Sequence, residues 1–69
     1  MTTPARTDLL ALLGRLRDAQ RDIIFREARS SSPPGDNAIR KIADLENAIA
    51  AVEAIIDEVA QEERQTGAA

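Results

Sequence analysis

The chain has no cysteine, no histidine, no tryptophan and no tyrosine, and its one aromatic ring is Phe25. Each absence closes a class of chemistry. Without cysteine there is no disulfide scaffold, thiol nucleophile or thiolate zinc site. Without histidine the commonest general base and the commonest metal ligand are missing. The three glycines, Gly14, Gly35 and Gly67, are scattered, so no phosphate-cradling loop exists. No apolar run approaches the roughly 20 residues of a membrane span. The start, Met1-Thr2-Thr3-Pro4-Ala5-Arg6, lacks the apolar stretch of a signal peptide, so a cytoplasmic location is expected. The 69 residues make a single domain, 1–69, near the size at which a lone core is marginal.

What is present points to helix. Ala, Leu, Ile, Glu, Arg, Asp and Gln dominate, and most of them are good helix formers. With 43% apolar and 30% charged residues the chain is amphipathic and folded, not disordered. A net charge of −3 argues against non-specific nucleic-acid binding and against adhesion to an anionic membrane.

The strongest punctuation is Ser30-Ser31-Ser32-Pro33-Pro34-Gly35-Asp36. Consecutive prolines cannot continue a helix, and a glycine frees the backbone to turn. This predicts helix 1 over about 4–29, a turn over 30–36 and helix 2 over about 36–65. Thr3, with Pro4 following, or Thr7 is the expected first cap, and Asp36 or Asn37 the second. Thr66-Gly67-Ala68-Ala69 reads as a stop and a frayed tail.

Apolar periodicity then fixes a fold. In helix 2, Ile42, Leu45, Ile49, Val52, Ile56 and Val59 are spaced 3, 4, 3, 4, 3, a heptad seam. Leu9, Leu12, Leu16, Ala19, Ile23 and Arg26 repeat that spacing in helix 1. Folding one half onto the other sets Leu9 against Val59, Leu12 against Ile56, Leu16 against Val52, Ala19 against Ile49, Ile23 against Leu45 and Arg26 against Ile42. These pairs reflect about Pro34, inside the turn that composition located independently. The expected fold is all-α: an antiparallel, coiled-coil-like two-helix hairpin.

Apolar residues also lie outside the seam. Leu10, Leu13, Ile24 and Ile39 mark one edge, and Phe25 and Ile55 the other. Two helices share one seam, which does little against the roughly 1.5 kcal/mol that ordering each residue costs. The edges are therefore expected to be covered, first by a second copy in a dimeric four-helix bundle, otherwise by a different protein. Basic Arg21, Arg26, Arg29, Arg40 and Lys41 crowd the loop end, and acidic Asp57, Glu58, Glu62 and Glu63 crowd the terminal end, which favours a head-to-tail pair.

A search for catalytic constellations returns no convincing one. Ser30-Ser31-Ser32 beside Lys41 reads as a solvated turn. Glu46, Glu53 and Asp57 share a side of helix 2 but read as a solvated face, since a dimetal bundle needs inward acids with histidine. No catalytic, cofactor or metal residue is assigned. Helix 1 carries six basic residues against four acidic ones, and Arg15, Arg17 and Arg21 are the candidate nucleic-acid face. In size and expected architecture, though not in any motif, the chain resembles the Rop-type RNA-binding hairpins of plasmids. That resemblance implies a dimer gripping RNA. Interleaved Asp18, Asp22 and Glu27 and the shortage of stacking rings weigh against it. The expected function is a non-enzymatic protein–protein interaction module acting as a regulator, adaptor or assembly factor.

Overall fold

Two helices, α1 (Arg6–Arg29) and α2 (Asp36–Gly67), pack against each other as an antiparallel hairpin in a computed structural model that describes residues 3–67. The expected all-α hairpin is thus observed. It is long and thin, 57 × 22 × 16 Å. Among the described residues no helix is long and apolar enough to cross a membrane.

The helix ends differ in detail from expectation. Neither Thr3 nor Thr7 caps α1. Ala5, in extended conformation, takes that place, and its carbonyl accepts the Asp8 and Leu9 amides at 3.0 and 3.2 Å. Asp8 reaches back and accepts the Ala5 N–H at 3.2 Å. This is half of a capping box, because alanine has no oxygen to supply the other half. The carboxylate also sits where the helix dipole favours negative charge.

At the far end Ser30 turns extended, and its N–H donates to the Glu27 carbonyl at 3.1 Å. Its Oγ accepts the Ser32 N–H at 3.2 Å, a local turn that leads into Pro33. The Gly35 carbonyl accepts the Ile39 amide, so Gly35 stands in the cap position one residue before the expected Asp36. No described glycine has positive φ, so the turn does not depend on the glycine's extra freedom. Gly67 does not stop α2, which runs through it; the last two residues of the expected tail, Ala68 and Ala69, lie outside the described residues.

The two helices treat their seams differently. In α2, Ile42, Leu45, Ile49, Val52, Ile56 and Val59 are all buried or half-buried. In α1 the inward positions are Leu9, Leu13, Leu16, Gln20, Ile23 and Glu27. Leu13 is 7% exposed, whereas Leu12 is 36% exposed and Ala19 and Arg26 face solvent. Leu9, Leu16 and Ile23 recur every seven residues and are common to both readings. The second position of each heptad falls four residues on, not three, which amounts to a rotation of α1 about its axis. Both spacings satisfy a heptad, so the choice falls to contacts across the helices. The Gln20 amide donates to Glu46 at 2.8 Å and to the Ile42 carbonyl at 3.3 Å, and Arg17 pairs with Glu53 at 2.6 Å. These groups meet only if α1 is turned so that Gln20 points inward. Leucine at position 13 then fills the layer that Leu12 was expected to fill.

Candidate interaction surface

Turning α1 divides the outside of the hairpin into two unlike flanks. Residues seven apart on a helix lie almost on one line along it. In α1, Leu10, Arg17 and Ile24 make one such line; in α2, Ile39, Glu46 and Glu53 make another. The Arg17–Glu53 bridge places both lines on the same flank. Gln20–Glu46 crosses there as well, and Arg6 approaches Glu63 at 3.9 Å nearer the termini. This flank is laced by polar ties across its middle, with Ile24 and Ile39 exposed toward the loop and Leu10 toward the termini.

The opposite flank carries Leu12, Ala19 and Arg26 of α1 beside Lys41, Ala48, Ile55 and Glu62 of α2, again seven apart on each helix. Its middle is apolar, with Arg15 at the margin. Leu12 and Ile55 lie side by side in the antiparallel register and both are exposed, Ile55 at 44%. Ala19, exposed, and Ala48, half-buried, form the next layer, with Ala51 at the margin. Its loop end is basic, with Arg26 and Lys41, and its terminal end is acidic, with Asp8, Glu58 and Glu62.

The expected edge residues are therefore redistributed. Leu10, Ile24 and Ile39 are exposed on the tied flank. Leu13 is not an edge residue, because the hairpin itself buries it. Phe25 is half-exposed on the outside of α1, where the Arg21 guanidinium sits 5.6 Å from its ring centroid, a cation–π contact. Ile55 belongs to the open flank, together with Leu12 and Ala19, which were expected inside. Reading the sequence missed Gln20 as a cross-helix tie. The available signal was its place between Leu16 and Ile23 at spacings of four and three, opposite a carboxylate in α2.

Arg15, Arg17 and Arg21 do not form one basic face. Arg15 and Arg17 are two residues apart, which is about 200° around a helix. Arg17 is held by Glu53, and Arg21 lies over Phe25. Among the described residues no group of three or more carboxylates converges on one point. Two shallow concavities lie among the described residues. One of about 320 Å³ opens between the helices at the loop, lined by Ile23, Arg26, Glu27, Ala38 and Lys41 among others. Another of about 390 Å³ lies against Asp22, Phe25, Arg26 and Arg29. Neither gathers a nucleophile with a base. No protein family, curated protein or solved structure matches the chain at a significant level, so its surface is the ground on which a function is argued.

Proposed function

We propose that the chain is a non-enzymatic protein–protein interaction module: a helical hairpin that pairs with a second copy into a four-helix bundle and in that form serves as a small regulator, adaptor or assembly factor. The observation that carries this reading is the imbalance between covered and uncovered apolar surface. Among the described residues Leu9, Leu13 and Ile49 are the buried core, and no large side chain is wholly enclosed. Six large apolar side chains among the described residues, Leu10, Leu12, Ile24, Phe25, Ile39 and Ile55, remain exposed. Leu12 and Ile55 share a layer of the open flank, and adjoining exposed apolar side chains on a small protein mark an interaction site. A chain of this size needs more burial than one seam provides, and packing two hairpins supplies a second layer under the same helix-packing rules.

Light scattering after gel filtration, over a concentration series from about 1 to 300 μM, tests the reading. The expected mass is twice the 7.5 kDa of one chain, shifting toward the single chain only at the dilute end. A mass of one chain throughout would overturn self-association.

A further inference from the structure

Resting on the self-associating reading above, we infer that the second copy docks on the open flank, over Leu12, Ala19, Ala48 and Ile55, and that it lies antiparallel. Three features of the structure carry this. First, the flanks differ in what their middles offer. The tied flank is crossed by Arg17–Glu53 and Gln20–Glu46, whose charges a dimer there would have to desolvate. The open flank presents leucine, isoleucine and alanine in the same layers, and small alanine side chains let helices approach closely.

Second, the open flank is self-complementary in only one direction. Arg26 and Lys41 mark its loop end, and Asp8, Glu58 and Glu62 its terminal end. Asp22 and Asp44 lie inward of the basic pair, and Arg29 and Arg40 keep that end net positive; Arg15, seven residues from Asp8 and on its line, leaves the terminal end net negative. A twofold axis across the flank lays the basic end of each copy on the acidic end of the other and stacks the apolar middles together. A parallel arrangement sets acid on acid and base on base, which disfavours it. Closed twofold symmetry also makes every contact count twice.

Third, the area is of the right order. The helices run side by side over the 24 residues of α1, about 36 Å at 1.5 Å per residue, and a pair of helices is roughly 20 Å across, so the flank is roughly 700 Å² in projection, against about 800 Å² per partner in a stable interface of standard size.

Because the chain has no cysteine, single introduced thiols report the arrangement directly. Three proteins, Asp8→Cys, Arg26→Cys and Lys41→Cys, are oxidised separately and in two equal mixtures, the first of Asp8→Cys with Arg26→Cys and the second of Arg26→Cys with Lys41→Cys, with light scattering on each. A twofold axis across the flank lays α1 on α1, so the antiparallel dimer places position 8 of one copy near position 26 of the other. It holds the two copies of position 8 roughly 27 Å apart along the axis at 1.5 Å per residue, beyond the roughly 7 Å that a disulfide tolerates. The expected result is fast cross-linking in the first mixture, at least roughly tenfold faster than in any protein alone. Fast cross-linking in the second mixture instead would show a parallel pair, in which α1 lies on α2, and overturn the orientation. A dimeric mass with slow cross-linking in every sample would place the interface elsewhere and overturn the flank while self-association stood. A monomeric mass would overturn both. A second pair of variants reads the flank by its chemistry. Ala48→Glu is expected to weaken the dimer roughly tenfold or more, and Ile39→Glu, on the tied flank, less than about threefold. Helicity by circular dichroism accompanies both, and the opposite ranking would assign the dimer to the tied flank.

Discussion

Gly14 offers the cleanest perturbation in this chain. It sits inside α1, eight residues from its start, and a Cβ built there meets no atom within 4 Å. Glycine in a helix interior is about 0.8–1.0 kcal/mol less favourable than alanine, because the unfolded chain gives up more freedom there. With helical backbone and open space, Gly14→Ala gains that difference without a steric charge against it. The expected stabilisation is about 1 kcal/mol per chain, hence about 2 kcal/mol per dimer, since both copies change. At about 4–8 °C per kcal/mol for a domain of this size, the midpoint of thermal unfolding rises by several degrees. Circular dichroism at fixed protein concentration measures it, and urea titration at two concentrations separates the gain per chain from any change in pairing. Ala11→Gly, three residues away and also exposed on the outside of α1, is the mirror control and costs about the same. The double variant should return to the parent within a few tenths of a kcal/mol. A loss of stability in Gly14→Ala would refute the reasoning: it would mean that another surface packs tightly on the back of α1, away from the flank assigned to the second copy.

Three other outcomes check the packing. Leu13→Ala should cost about 2–3 kcal/mol in urea unfolding, the low end for a buried leucine, because a thin core can collapse around the gap. The same change should leave cross-linking between positions 8 and 26 intact, since Leu13 lies inside the hairpin and not at its edge. Gln20→Ala should cost about 1 kcal/mol, the net worth of a partly exposed hydrogen-bonded amide, and Gln20→Glu more, since it faces Glu46 with like charge. In a double-mutant cycle, Arg17→Ala with Glu53→Ala should show a coupling of about 0.2–1 kcal/mol that fades between 0.05 and about 1 M salt, because both side chains are about half exposed.

Much of this architecture follows from local chemistry, which is why the sequence carries it. Two prolines after three serines end a helix wherever they stand, and they do so between Arg29 and Asp36. The α2 seam is legible because every member from Ile42 to Val59 is aliphatic with no polar interruption, so one orientation buries far more apolar area than any other. The antiparallel direction follows from a short connection between two long helices.

The rotation of α1 is a different matter. Its heptads offer Leu12 and Leu13, Ala19 and Gln20, Arg26 and Glu27 as neighbours, and each pair holds one member for either spacing. Apolar area barely distinguishes Leu12 from Leu13, so periodicity cannot choose. The decision belongs to groups far apart in sequence, Gln20 with Glu46 and Arg17 with Glu53, which meet only once the hairpin has closed. The caps are likewise set by geometry that residue type alone does not reveal: Asp8 reaching back to Ala5 removes the need for a threonine cap. By itself, then, the sequence determined two helices, their turn and the face that α2 buries, because those depend on propensity and on contrast between apolar and polar neighbours. Only the tertiary structure decided which side of α1 faces inward, and with it which flank keeps Leu12, Ala19 and Ile55 exposed beside the half-buried Ala48, because that choice rests on cross-helix contacts that exist in no local stretch of chain.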